Sequence, residues 1–402
     1  MATQVGPSDS AGRFPVLVRL GRQIVAGERA SLRWGLGSGG SGGTDGGGVE
    51  LAPGTSSTML SVGPFTGDPV ALSITVDVAR DGAPPASSGP ASSGPASSTA
   101  SIALDVATAP MRTLWSGFGS YQLAATGNSV LTCDGAPGCA EAADGRGSAL
   151  SNDRWNMVWS HPDGVGTGSS SAQLDLPAGS TVRAALLVWG GSAPSGAGPD
   201  ELQSVRLTAG GVTSTVRAQE LLTGSAGAYQ GVAEVTSLVR SGGEIGVSGV
   251  AARTGAGSWG GWSLVVVVER RGIAERSVTV TTGLSDGPVD QRLLGGAGRV
   301  EQVLALQWEG DAGLGPDSMS LTGSGAGPVA LSDALNPADD VANSSVSIGG
   351  VRPAGVDANT FGVDVDLFDT SAGPLRTDPR LVATSTSDRR FVGVLGWAVA
   401  PA

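Results

Sequence analysis

A chain of 402 residues with a formal net charge of −12 is too long for one ordinary core, and it repels the phosphate backbones and anionic lipids that a basic protein would seek. Glycine makes up about a sixth of it, against roughly 7 % in ordinary proteins, and charged residues fall to 15 %. Every basic residue is arginine, which excludes a lysine isopeptide crosslink, a lysine Schiff base and a Walker-type phosphate site.

In chain order, 14-FPVLVRLGRQIVAGERASLRWGL-36 alternates as one or two strands. The stretch 37-GSGGSGGTDGGG-48 has the composition of a flexible loop. Strand patterns return at 58–63 and 70–78. The repeat 87-SSGPASSGPASS-98 lacks anything to pack, and 101-SIALDVAT-108 alternates again. Residues 14–108 therefore read as a small β-sandwich with two low-complexity loops.

From Met111 the strands come faster. They are expected at 120–127, 155–160, 172–177, 181–191, 203–209, 213–219, 244–253, 262–269 and 276–282, all rich in Val, Leu, Thr and Trp between short turns. One short helix is expected over 233-AEVTSLVRSGG-243, where Val235, Leu238 and Val239 share a face and two glycines stop the run. A second series follows at 299–310, 318–323, 328–332, 344–350, 361–369, 380–387 and 391–400. The longest apolar run, 264-LVVVV-268, has strand length; no run approaches the 20 or so residues of a membrane-spanning helix. The first residues lack the basic-then-apolar pattern of a signal peptide. The expected fold class is all-β, two or three β-sandwich or jelly-roll-like domains with long Gly/Ser/Pro-rich loops, divided as 14–108, 112–285 and 286–402.

The only two cysteines, Cys133 and Cys139, enclose Gly135, Pro137 and Gly138. Those turn formers bring the chain back on itself, within reach of a disulfide. The pair reads as a structural disulfide and places the protein in an oxidising, extracellular or cell-surface compartment. The alternative is two reduced thiols in a cytosolic protein. The single histidine, His161, sits in the turn 160-SHPDGVG-166 and has no evident partner for a catalytic triad. The glycine-loop matches 35-GLGSGG-40 and 39-GGSGG-43 lack the helix that a dinucleotide site or a nucleophile elbow requires.

No catalytic residue is assigned, although Glu309, Asp311, Asp364 and Asp366 are the acids to test for a glycosidase pair. Calcium is the metal that Asp153, Asp339, Asp340, Asp364, Asp366 and Asp369 would take; turns and a solvated strand face are the alternative use. In 363-VDVDLFD-369, alternation puts Asp364, Asp366 and Phe368 on one face and Val363, Val365 and Leu367 on the other. Trp155, Trp159, Trp259 and Trp262 are candidates for stacking on sugars, with core packing the more common fate of such residues. The sequon 343-NSS-345 marks a glycosylation acceptor only in a eukaryotic secretory route.

The runs 128-NSVLTC-133, 151-SNDRWNMVW-159, 174-LDLPAGSTVRAALLVWGG-191, 258-SWGGWSLVVVVE-269, 305-ALQWEGDAGLGPDSMSL-321, 331-LSDALNPADDVANSSVS-347 and 361-FGVDVDLFDTS-371 resemble a β-rich region of secreted bacterial cell-surface proteins that often precedes conserved extracellular repeat modules. The resemblance covers roughly residues 115–400. It implies an envelope-associated protein and brings no active-site residues with it. The expected function is a non-enzymatic structural or adhesive role in a bacterial envelope, with other envelope proteins or further copies of the chain as partners. The alternative is a glycan-binding module or glycosidase using a jelly-roll face.

Overall fold

A computed structural model describes residues 2–5, 8–9, 13–20, 23–26, 28–36, 46–62, 70–80, 96–104, 111–162, 167–386 and 389–402. The chain is nearly all β and divides into two compact units, Met1–Phe118 and Gly119–Ala402. No described helix is long and apolar enough to cross a membrane.

Seven described strands of the first unit form a sandwich. One sheet runs Ala2–Val5, Phe14–Arg19, Ser57–Val62; the other runs Gly46–Leu51, Glu28–Leu36, Val70–Arg80, Ala96–Leu104. Val16, Val18, Leu32, Leu60, Val62, Ile74 and Val76 fill the space between them. Seven is the count of immunoglobulin-type sandwiches, but here the fourth strand pairs with the third and not with the fifth. Two expectations are corrected. Residues 46–48 belong to a strand although their composition reads as loop, and so do residues 96–98 at the end of the Ser/Gly/Pro repeat. Backbone pairing to Glu28–Leu36 and Val70–Arg80 does not need side chains to pack. The rest of both low-complexity stretches, 37–45 and 87–95, lies outside the described residues.

In the second unit a central sheet is ordered Glu220–Thr223, Ala228–Glu234, Thr181–Ser192, Gly260–Glu269, Tyr121–Ser129. A four-stranded sheet, Thr167–Leu174, Gly243–Ala251, Ser204–Ala209, Val212–Arg217, covers one face. Trp189, Leu187, Trp262, Leu264, Val266 and Val268 meet Leu174, Leu207, Ile245 and Val247 in that interface. The opposite face is covered by a larger sheet built on Gly298–Trp308 and Phe391–Pro401. This second cover explains why 264–268 carries no polar residue: a strand buried on both faces loses its alternation. Each such Val or Leu adds about 1.5–3 kcal/mol when fully buried.

Two glycines set the spacing of the layers. A Cβ at Gly127 would lie 2.8 Å from Val365 Cγ2, and one at Gly261 the same distance from Val363 Cγ2. The Val363–Asp369 strand is thus seated directly on the central sheet. Tyr121–Ser129 is that sheet's edge, and Gln302 caps part of it: Leu123 N–H donates to Gln302 Oε1 (2.9 Å) while Gln302 Nε2 donates to Leu123 O (3.2 Å).

The expected boundary at 285/286 falls inside this unit. Arg276–Ser285 pairs with Phe391–Pro401, so it shares a sheet with the chain's last strand. The helix expected over 233–243 is also absent. Ala228–Glu234 is claimed by pairing to Thr181–Ser192, leaving a single turn in which Val239 N–H reaches Val235 O. Tertiary pairing overrides the local periodicity there. The described α-helices are instead the short Cys139–Ala143 and Pro199–Leu202.

Candidate functional site: a buried aspartate cluster

Alternation along Val363–Asp369 puts Asp364 and Asp366 on the face opposite Val363 and Val365 as expected, but that face is not solvated: both aspartates are 0 % exposed. The reason lies in the loops of 309–348. They fold over this face, and one short segment, Val346–Ile348, adds to it as a parallel strand that sets Ser347 opposite Asp366.

The covering loops are held by carboxylates. Asp317 Oδ1 accepts the N–H of Val341 (2.8 Å) and of Ala342 (2.7 Å). Asp333 Oδ1 accepts those of Leu335 and Asn336, and its Oδ2 accepts the Ser347 hydroxyl at 2.7 Å. Asp364 Oδ1 accepts Ser345 N–H at 3.0 Å, Asp366 Oδ1 accepts Asn336 Nδ2 at 2.9 Å, and Asp340 Oδ2 accepts Gly313 N–H at 2.9 Å. Asp311 reaches in the other direction, accepting the Ser151 hydroxyl (2.7 Å) and Asn152 N–H (3.1 Å).

The second oxygens Oδ2 of Asp317, Asp364 and Asp366 are buried without a hydrogen-bond partner among the described residues. Burial pushes Asp364 and Asp366 well above the ordinary carboxylate range; the Asp366 charge adds to the rise at Asp364, and the charges of Asp333 and Asp317 add to it at Asp366 against the pull of Asn336. Burial also raises Asp317 and Asp340. Asp311 is pushed up to about 6 by burial, against the pull of its donors Ser151 and Asn152. Next to Asp364 in register stands Gln307, whose Oε1 accepts from the buried Arg390 guanidinium. The arrangement can store protons and anchor loops. Its members are fully buried at the strand, where no sugar ring could be placed between two carboxyls.

The calcium set does not come together. Asp153, Asp339 and Asp369 are exposed while Asp364 and Asp366 are sealed, and among the described residues no group of three or more His, Cys, Asp or Glu is placed to hold a metal ion. The sugar-stacking set is corrected in the same way. Trp155, Trp259 and Trp262 are buried, and Trp159 is half-buried with Gly168 against its ring. Trp259 stacks on Trp308 (5.6 Å between centroids); Trp262 and Trp155 donate their indole N–H to Ser170 Oγ and Ala149 O. His161 is exposed.

Cys133 and Cys139 form a disulfide, Cα atoms 5.8 Å apart. It ties the strand Leu131–Cys133, paired with Met157–Trp159, to the helix Cys139–Ala143. Both sulfurs lie in the same core as Trp155 and Met157. The sequence signal missed was Asn336 with Ser345 and Ser347: the Asn336 amide donates to Asp366, Ser345 gives its backbone N–H to Asp364 and its hydroxyl to Asn336 Oδ1, and the Ser347 hydroxyl donates to Asp333.

No protein-family model matches the chain, and no curated protein does. Among solved structures, native α-L-rhamnosidase from Aspergillus terreus is similar at 11 % identity and a TM-score of 0.19, covering 96 % of this chain and 49 % of that one. A Paenibacillus xanthan lyase is similar at 10 % identity and a TM-score of 0.18, covering 99 % of this chain and 39 % of that one. The chain spans less than half the length of either structure, and likeness at this level carries no argument about activity.

Proposed function

We propose that the protein is a non-enzymatic structural or adhesive component of a bacterial envelope, working outside the cytosol. One observation carries this reading: the side chains that sequence chemistry nominates for catalysis or binding are largely turned inward. Asp364, Asp366 and Asp317 brace loops, and Trp155, Trp259 and Trp262 fill cores, so little chemistry is presented to a substrate. The disulfide fits an oxidising compartment. Immunolabelling and protease shaving of intact cells of the native source test the location, with size-exclusion chromatography and electron microscopy of the purified chain testing assembly. Labelling on intact cells supports the proposal. Recovery in the soluble interior, with both thiols titrating as free, overturns it; a strict monomer at high concentration removes self-assembly and leaves an adhesive role.

A further inference from the structure

Several arginines of the second unit are paired with carboxylates on other strands. Arg292 pairs with Asp378, Arg380 with Asp290 and Arg276 with Glu301. Arg376, four residues before Arg380 on the strand Leu375–Ser385, is only 2 % exposed, yet among the described residues no carboxylate ion-pairs with it. Its Nη1 and Nη2 donate to the carbonyls of Ala326 (3.1 Å) and Gly327 (2.8 Å), which uses two of the five N–H donors of a guanidinium. A buried cation that lacks a counter-charge is expensive unless something supplies one.

Arg376 lines a cleft of about 280 Å3. Phe368, Leu321, Leu331 and Val300, each no more than 4 % exposed, form its apolar walls, and Val329 with Ala330 forms part of its rim. A largely apolar cavity with a small number of placed polar groups is the usual composition of a small-ligand site, and this volume lies just under the usual range of about 300–1,000 Å3. Asp369 also lines the cleft; it is exposed, with Oδ1 accepting Ser371 N–H at 2.9 Å, and its charge disfavours a ligand with two anionic groups.

The geometry points to a binding site for a monocarboxylate on a compact apolar body, the carboxylate meeting Arg376 and the body lying against Phe368 and Leu331. Such a group is found both in a free short-chain or single-ring acid and at the end of a peptide whose last residue is apolar. This goes beyond the structural role proposed above and does not depend on it.

Isothermal titration of the full chain tests the site with phenylacetate and its neutral isostere phenylacetamide. Two further probes, a tripeptide ending in a free Phe carboxylate and the same peptide with a C-terminal amide, identify the source. An acid is expected to bind with Kd of about 1 mM or tighter, and about tenfold or more tighter than its amide, because only the acid gains a charge-assisted bond. Binding by the free acid alone assigns a small molecule, and binding by the peptide acid alone assigns a chain terminus. Arg376→Gln should abolish the preference for acid over amide. Ala330→Trp, which leaves both carbonyl bonds of Arg376 in place, should block the cleft and remove binding; it keeps the test decisive if Arg376→Gln does not fold. The proposal is overturned if neither acid binds, if amides bind as tightly as acids, or if Ala330→Trp leaves acid binding unchanged.

Discussion

Two corners of the second unit solve one problem by different means. Around Cys133–Cys139, irregular chain is held to the core by a covalent bond and by Trp155, whose indole N–H donates to Ala149 O. Around Asp317, Asp333 and Asp364, a longer stretch of irregular chain is held by carboxylates accepting backbone N–H groups. The first device responds to redox and is indifferent to protons. The second responds to protons and is indifferent to redox. A buried loop must pair its polar groups somewhere, and the carboxylate corner does so with side chains instead of a sheet ladder.

The largest effect should come from the centre of the carboxylate corner. Asp317→Ala leaves the N–H groups of Val341 and Ala342 buried without their acceptor. At about 1–3 kcal/mol for each orphaned donor, the loss should be about 4 kcal/mol in urea unfolding. Asp317→Asn keeps one acceptor oxygen and should lose less than half of that. Equal losses in the two variants would mean that the negative charge, and not an acceptor oxygen of the right shape, holds the loop.

Next is the proton dependence. Asp311 titrates at about 6 in the folded protein against 3.8 as the ordinary value. Below pH 4 both states hold the proton. Between about 4 and 6 only the folded state does, so raising pH through that window removes stability, and above it the loss is constant. Asp317, Asp340, Asp364 and Asp366 are shifted the same way and add to the fall. The melting temperature should therefore drop as pH rises from 4 to 7, the reverse of a protein held by surface ion pairs. Asp311→Asn should flatten the curve by about 2–3 kcal/mol across the window. A melting temperature that climbs over this range would contradict the buried, proton-holding cluster.

The sulfur corner was legible in the sequence and the carboxylate corner only half so. Two cysteines around a Pro-Gly turn define their own loop, because the partners are local. The strands were legible for a related reason: Val, Leu and Thr runs between glycine turns report pairing wherever the partner lies, and most expected strands from 120 to 400 form. For Asp364 and Asp366 the alternation named the right face, but what covers it arrives from residues 311–348, through contacts that no local pattern announces. The same distance effect removed the helix at 233–243, where Val235, Leu238 and Val239 have helical spacing but the preceding residues pair with Thr181–Ser192. Arg376 was invisible for the same reason, since nothing around residue 376 shows that Phe368, Leu321 and Leu331 surround it.

The smallest effect separates the corners most sharply. Cys133 and Cys139 are six residues apart, and a loop so short stabilises by only about 2 kcal/mol in the chain-entropy model. The double change Cys133→Ser with Cys139→Ser should cost that much in urea and leave the pH curve of the melting temperature unchanged. A reductant should do the same to the native chain and nothing to the double variant. The corners meet where Asp311 accepts from Ser151 and Asn152, close in sequence to Met157–Trp159, the strand that pairs with the disulfide-tied Leu131–Cys133. Combining Asp311→Asn with the cysteine change measures whether that contact transmits anything. Two independent devices predict additivity within about 0.5 kcal/mol. A larger coupling, or a pH midpoint that moves when the disulfide is opened, would mean that the sulfur loop positions Ser151 and Asn152 for Asp311, and the two corners would then be one structure with two controls.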